Sequence, residues 1–167
     1  MSTPKWVFPD VTGRDLLGHD YRLPREFPAH LNITVIAFKQ WHQGLVDQWI
    51  SRLAERGIPQ TPYGSLDMER VILELPVISG RYQVARRFID GGMAASIRDP
   101  KVLARTITIY GSVDRLRNPL GIASRDTVSV RVARRDGSVV WGTTGPVSDA
   151  AVSDLLATLE GVESSSP

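Results

Sequence analysis

The sequence predicts an α/β fold in which helices flank a mixed β-sheet that ends in a C-terminal β-hairpin. The apolar, β-branched segment 33–38 is typical of a strand that is buried on both faces. Segment 44–56 follows with apolar residues at helical spacing. Alternating valines over 127–133, a turn at Asp136–Gly137 and an apolar return over 139–141 predict a hairpin. Because strands separated by helices pair in parallel and hairpin strands pair antiparallel, we expect a mixed sheet.

Length and composition indicate one globular domain. The chain has 167 residues, of which 42% are hydrophobic and 23% charged, and it has no apolar run of the roughly 18 residues that a membrane span requires. Its start lacks the apolar core of a signal peptide and the arginine-rich pattern of a mitochondrial presequence. We therefore expect a cytoplasmic protein that is not integral to a membrane, with peripheral association with the inner membrane as a further possibility. The predicted parts are an N-terminal arm (1–30), a core (31–161) and a disordered tail (162–167).

The elements of the first half follow from local signals. Glycines and prolines in the arm predict turns and short edge strands. The first core strand precedes a helix from about Gly44 to Arg56, which ends at Gly57 and Pro59. The helix has an apolar stripe, formed by Leu45, Val46, Trp49, Ile50 and Leu53. Segment 71–75 predicts a second strand, stopped by Pro76.

The second half contains helices, one more central strand and the hairpin. We expect a helix over 81–90, a short helix opened by Asp99–Pro100, a strand over 106–110 and a helical connector over 114–120. After the hairpin, Ser148 caps a final helix that ends at Gly161. This order is that of a thioredoxin-like three-layer fold. A flavodoxin-like doubly wound sheet is the competing architecture, and it has no place for the terminal hairpin.

The chain contains no cysteine. In thiol enzymes of the thioredoxin-like fold, the reactive cysteines follow the first core strand, where the N-terminus of a helix stabilises a thiolate. A Trp-Cys-x-x-Cys motif would superpose on 41–45, so that His42 and Leu45 stand in the positions of the two thiols. The composition therefore excludes thiol–disulfide and cysteine-peroxidase chemistry.

The same segment supplies candidate binding residues at the helix entrance, namely Lys39, Trp41, His42 and Gln43. A histidine at a helix N-terminus is disfavoured as a cation, so we expect His42 to be neutral. It has no recognisable triad or ligand set beside it in sequence. We assign no catalytic residue, no metal site and no cofactor, and we favour a structural or partner-contact role for His42 over catalysis.

Charge is distributed unevenly along the chain. Residues 1–80 have a net charge of −1, residues 81–135 of +8 and residues 136–167 of −5. Arginines of the basic stretch are further binding candidates if they share one exposed face: Arg86, Arg87, Arg98 and Arg105. The alternative is that they only solvate helices and loops. Nucleic-acid binding has the least support, because no stacking-aromatic motif accompanies the arginines.

Several segments resemble the mitochondrial ATP-synthase assembly factor numbered ten and, more closely, its bacterial relatives. They are Phe8–Pro9 with Gly13 and 16–18, 35–38 with 47–49, 92–93 with 97–99, 106–110, and 130–141 with Gly145. These relatives are thioredoxin-like proteins that do not use cysteines. The resemblance implies a role in assembling the membrane proton-channel subunit of ATP synthase.

Two functions are consistent with the sequence. The first is a redox-inactive interaction protein, acting as an assembly factor or chaperone on a protein partner, for which a membrane-complex subunit and an anionic surface are candidates. The alternative is a small-molecule-binding protein or non-thiol enzyme that uses the Trp41–His42–Gln43 entrance.

Overall fold

The computed structural model of the protein describes residues 5–62, 68–78 and 99–164. Their strands form one seven-stranded sheet in the order β2-β1-β5-β4-β3-β6-β7. The strands are β1 (Val11–Asp15), β2 (Asp20–Leu23), β3 (Ala29–Ala37), β4 (Met68–Ile78), β5 (Ile107–Tyr110), β6 (Ser129–Ala133) and β7 (Val139–Thr144). The central β3–β4 and β4–β5 pairs are parallel, and the other pairs are antiparallel. The predicted mixed sheet is therefore confirmed.

Three of the four α-helices in the described ranges begin after a polar residue whose side chain accepts from a free backbone N–H group. The four helices are α1 (Gln43–Glu55), which continues a 3₁₀ turn (Gln40–His42), α2 (Pro100–Arg105), α3 (Val113–Leu120) and α4 (Asp149–Ser164). Asp99 accepts from the Lys101 N–H at the start of α2, and Ser148 accepts from the Ala151 N–H at the start of α4. No helix in the described ranges is both long and apolar enough to cross a membrane.

The sheet separates two hydrophobic clusters, because successive side chains of a strand point to opposite faces. On β6, Val130 and Val132 pack with α1 and α4, whereas Ala133 packs with α3 and the arm. On β4, Ile72 belongs to the cluster that packs with α1 and α4, and Leu73 belongs to the cluster that packs with α3 and the arm. Helices α1 and α4 therefore cover one face of the sheet, and α3 with the arm residues covers the other. This is the predicted three-layer arrangement.

The predicted hairpin is confirmed. Strands β6 and β7 pair antiparallel around the Asp136–Gly137 turn, in which the Asp136 side chain accepts from the Ser138 N–H at 2.8 Å. Gly137 has a φ of 94°, a left-handed conformation that favours glycine.

The second core strand is longer than predicted, because Pro76 does not end it. Strand β4 runs on to Ile78. Pro76 forms the last pair with β3, and pairing with β5 includes the next residue, Val77, opposite Ile109. Pro76 thus lies where the pairing of β4 with β3 ends and the pairing with β5 follows. The sheet tolerates its missing N–H at this point.

Other boundaries differ by a few residues. Strand β3 begins at Ala29 rather than Ile33, and α4 continues past Gly161 to Ser164. The remaining predicted helices, over 44–56, after Asp99 and over 114–120, are present with shifts of one residue or so. The helix predicted over 81–90 lies outside the described residues.

The arm is fixed to the domain by Trp6. The Trp6 ring stacks on the guanidinium of Arg131, 4.2 Å from Cζ to the ring centroid, and Arg131 is itself 1% exposed. Carbonyl oxygens of Leu120, Val130 and Thr143 accept from this guanidinium. A Cβ at Gly142 would lie 2.6 Å from the Trp6 ring, so only glycine leaves room for it. Burial lowers the pKa of Arg131 to about 10.

Candidate functional site

The entrance to α1 is organised by His42. Strand β3 ends at Ala37, and the chain passes through Phe38 and Lys39 into the 3₁₀ turn. The backbone N–H groups of Phe38 and Lys39 both donate to His42 Nδ1, at 3.2 and 3.3 Å. His42 is 0% exposed, so its ring accepts the hydrogen bonds of these two N–H groups from the interior of the domain. Through these two hydrogen bonds His42 holds the backbone of the turn.

The contacts of Nδ1 fix the protonation of the ring. Because Nδ1 accepts two hydrogen bonds, the neutral ring carries its proton on Nε2. Among the described residues, Nε2 is buried and has no hydrogen-bond partner. Burial lowers the pKa of His42, and the Lys39 ammonium lowers it further, whereas the Asp126 backbone and carboxylate oppose this shift.

Trp41 lies on the outer side of this histidine. Its ring is edge-on to the His42 ring, with centroids 4.3 Å apart and planes at 78°. It is 62% exposed, which makes it the most exposed of the large hydrophobic residues in the described part of the chain. Leu45, one turn along α1, is half-buried, and Trp49 is buried. The 41–45–49 series therefore runs from the surface into the core.

A charged pair closes the side of the entrance. Lys39 Nζ donates to Asp126 Oδ1 at 2.6 Å, and Asp126 lies in the loop that leads from α3 to β6. The hydrogen bond and charge of Lys39 lower the pKa of Asp126, and Arg125 adds a smaller effect in the same direction. Asp126 and Lys39 are 87 residues apart in sequence. They meet because β6 lies beside β3 in the sheet.

A buried polar network lies below Gln43. Glu74 on β4 accepts from Gln43 Nε2 at 3.0 Å, from Arg105 Nε at 3.0 Å and from Thr106 Oγ1 at 3.1 Å. Arg105 also donates to Gln60 at 2.7 Å. Both charged side chains are buried, and each neutralises the other.

The cavity that the described residues enclose at the entrance is small. The cavity between Lys39, Gln40, Gln43 and Glu74 holds about 20 Å³, which is room for a water molecule and not for an organic ligand. A larger open depression of about 960 Å³ lies beside β1 and β2 and shares no lining residue with the entrance.

The structure brings together four predicted residues and separates a fifth. Lys39, Trp41 and Gln43 are exposed around the buried His42. Arg105 is 7% exposed and paired with Glu74, so the expectation that it shares an exposed basic face is wrong. Arg105 is buried because its guanidinium pairs with the Glu74 carboxylate on β4. Arg86, Arg87 and Arg98 lie outside the described residues. The sequence analysis missed Asp126, for which only the pairing of β6 with β3 provides a signal.

The buried His42 predicts a pH-dependent stability. Its folded-state pKa lies below the usual value of about 6.5, so the unfolded chain binds a proton more readily. Stability should be complete above about pH 6.5 and should fall as the pH drops below that value. Urea unfolding at a series of pH values measures this effect.

A matched pair of variants identifies its source. His42→Asn retains an acceptor near the position of Nδ1 without a titrating ring, and it should flatten the loss of stability below neutral pH. His30→Asn changes an exposed histidine and should leave that loss in place. An unchanged pH profile in His42→Asn would show that other groups cause it.

Comparison with known proteins gives structural neighbours. No family model and no curated protein match the sequence. The exposed lipoprotein thioredoxin of Streptococcus pneumoniae TIGR4 superposes with a TM-score of 0.56 at 12% identity, over 92% of this chain and 99% of that one. A putative electron transfer protein of Aquifex aeolicus gives 0.58 at 10% identity, over 95% and 97%. BsSco, of the Sco family of cytochrome c oxidase assembly proteins, gives 0.58 at 12% identity, over 96% and 98%.

These similarities show that the fold is thioredoxin-like. At 10–12% identity they show the fold alone. The resemblance to the ATP-synthase assembly factor family is not confirmed by them. The chain thus combines a thioredoxin-like fold with a sequence that has no cysteine.

Proposed function

We propose that this chain is a redox-inactive thioredoxin-like interaction protein that binds a protein partner at the entrance of α1. The observation that carries the proposal is the 62% exposure of Trp41 on a rigid support. In this fold the corresponding position adjoins the reactive thiols of the enzymes. When the Trp-Cys-x-x-Cys motif is aligned with 41–45, the buried His42 stands in the position of the first thiol, and its ring lies edge-on to the exposed Trp41 ring.

An exposed tryptophan of this kind suits protein recognition. Trp is enriched among the residues that contribute most to binding energy at protein interfaces. The edge-on contact with His42 restrains the Trp41 ring, so less side-chain entropy is lost when a partner covers it. Half-buried Phe38 and Leu45 extend the apolar surface on either side in sequence. The entrance thus offers an apolar centre with polar Lys39, Gln40 and Gln43 around it.

The dimensions of the entrance favour this function over the alternative of a small-molecule site or a non-thiol enzyme. A cavity of about 20 Å³ cannot enclose a substrate, and typical ligand pockets hold about 300–1,000 Å³. His42 has its Nδ1 engaged by two backbone donors and is buried, which is a poor arrangement for a general base that must reach a substrate.

Within this class we propose an assembly-factor or chaperone-like role, with a subunit of a membrane complex as the partner. Its support is analogy. One structural neighbour belongs to a family of cytochrome c oxidase assembly proteins, and the sequence resembles ATP-synthase assembly factors. These two likenesses are the precedents for an assembly role in a thioredoxin-like protein. A cytoplasmic location, with peripheral contact with the inner membrane, is part of the same proposal.

Site-specific photo-crosslinking tests the binding surface. A photoreactive phenylalanine analogue at position 41 should give a discrete adduct with a partner when the protein is expressed in its native host. The same analogue at position 48, an exposed position of α1 away from the entrance, is the matched control and should not give that adduct. Mass spectrometry of the adduct identifies the partner.

The crosslinking results at positions 41 and 48 show whether the entrance of α1 is the binding surface. An adduct at position 41, together with loss of the same partner from a pull-down with the Trp41→Ala variant, supports the entrance as the binding surface. Equal labelling at positions 41 and 48, or no adduct at either, would contradict it.

The absence of cysteine predicts no thiol chemistry in solution. The rates of insulin reduction by dithiothreitol and of peroxide consumption should be the same with and without the protein, since no residue can form a mixed disulfide or a sulfenic acid. A cysteine-containing thioredoxin is the positive control. Turnover that co-purifies with this chain through successive columns would contradict the prediction.

A further inference from the structure

We propose that the entrance of α1 binds a carboxylate of an acidic partner segment, in the place that the Asp126 side chain now holds beside Lys39. The inference rests on the proposed function, since it specifies the chemistry of the partner that contacts Trp41. It makes Asp126 an internal competitor of that partner.

The structure already holds one carboxylate at the entrance. Asp126 Oδ1 accepts from Lys39 Nζ at 2.6 Å. The two side chains are 82% and 42% exposed, respectively, and exposed ion pairs of this kind contribute little to stability. An incoming carboxylate can therefore replace Asp126 at Lys39 at small cost to the fold.

A buried donor beside this pair lacks an acceptor. His42 Nε2–H is enclosed and has no hydrogen-bond partner among the described residues, and the backbone of Asp126 is the strongest of the influences that raise the pKa of the ring. Leaving a buried donor unpaired costs free energy, and an acceptor that reaches it recovers that free energy. A carboxylate that displaces Asp126 from Lys39 has a second oxygen that can serve as this acceptor.

The surrounding charges select an anion. Lys39 and Arg125 are the cations near Asp126, while Glu74, the buried carboxylate below Gln43, is already neutralised by Arg105. The Asp47 carboxylate on α1 accepts from Gln43. Displacement of Asp126 therefore leaves a net positive entrance at the N-terminal end of α1, which favours negative charge.

Trp41 determines what accompanies the carboxylate. Its exposed ring borders the histidine, so a partner residue next to the acidic one lies against an aromatic surface. The favoured ligand is an acidic side chain with an apolar neighbour in an extended protein segment. A lipid headgroup at a membrane surface lacks this pairing.

Titration with two capped peptides tests the proposal. The probes are acetyl-Gly-Leu-Glu-Leu-Gly-amide and the same peptide with Gln in place of Glu. Histidine ring resonances report on binding, because the chain has three histidines and His42 is the buried one. We expect the Glu peptide to shift the His42 signal and the Gln peptide to bind more weakly.

Variants of the ion pair sharpen the test. Asp126→Asn removes the competitor and should tighten binding of the Glu peptide up to about fivefold, with no such change for the Gln peptide. Lys39→Met should weaken binding of the Glu peptide alone. Asp114→Asn disrupts a different exposed ion pair, with Arg117 on α3, and is the matched control that should change neither affinity.

The results separate this inference from the proposed function. Equal affinities for the two peptides, weaker binding in Asp126→Asn, or no binding to that variant at millimolar peptide would overturn the carboxylate site. The crosslinking at position 41 would still stand in each of those cases. Capture by phosphatidylglycerol vesicles that Lys39→Met abolishes, without a preference for the Glu peptide, would overturn it in favour of a membrane surface.

Discussion

Replacing Trp49 with alanine should lower the free energy of unfolding by about 3–5 kcal/mol, the range for truncating a large buried aromatic side chain. Trp49 is 0% exposed and packs between the sheet and α4 in the cluster that contains Val130 and Leu155. Its Nε1–H donates to the Gly145 carbonyl at 2.9 Å. The substitution leaves a cavity at the centre of this cluster and an unpaired carbonyl. Urea unfolding monitored by circular dichroism measures the change.

Two neighbouring variants separate packing from the hydrogen bond. Trp49→Phe retains an aromatic ring and loses the N–H, so it should cost less than alanine, with about 1 kcal/mol due to the hydrogen bond. Gln48→Ala, at the exposed adjacent position, should stay within about 0.5 kcal/mol of the parent protein. A loss below about 1 kcal/mol in Trp49→Ala would mean that the cluster relaxes around the missing ring.

Breaking the buried ion pair between Glu74 and Arg105 should have a similar effect. Arg105→Leu should cost about 3–5 kcal/mol, because it leaves the Glu74 carboxylate buried without its cation. Gln43 and Thr106 still donate to that carboxylate, but neither carries a charge that could neutralise it. The same unfolding measurement applies.

The double variant Glu74→Leu/Arg105→Leu tests whether the loss in Arg105→Leu comes from leaving one buried charge without its partner. Removing both charges leaves an apolar contact and should recover most of the stability that Arg105→Leu loses. Strict additivity of the two single substitutions would show that the pair does not act as a unit. Lys39→Met breaks an exposed pair instead and should change stability by less than about 1 kcal/mol.

The sequence predicts those features of the fold that depend on local signals. Valine alternation and an Asp-Gly turn are contained within a few residues, so the hairpin was predictable with its turn at the right position. The same holds for α1, whose stripe at Val46, Trp49 and Leu53 is buried as expected. Pro76 shows the limit of such signals. Its effect depends on which neighbouring strands pair at that residue, and this is decided by the sheet.

The candidate site was predictable only in the part that is contiguous in sequence. Lys39, Trp41 and Gln43 follow one strand and open one helix, so their proximity needs no knowledge of the topology. Arg105 and Glu74 are 31 residues apart, and Asp126 comes from the far side of α3. A basic residue in a basic stretch gives no sign that a buried carboxylate faces it. Burial of Arg105 follows from the parallel arrangement of β4 and β5, and charge counting could not reveal it.

The arm described above also covers part of one edge of the sheet. Strand β7 is the last in the sheet order, and an open edge strand can pair with another chain. Val7 forms a bridge with Ser138 just before β7, Phe8 N–H donates to the Gly137 carbonyl at 2.7 Å, and Trp6 covers Gly142. The chain's own backbone thus occupies the start of that edge. The Trp6–Arg131 contact therefore holds a segment that leaves less of this edge free to pair with another chain.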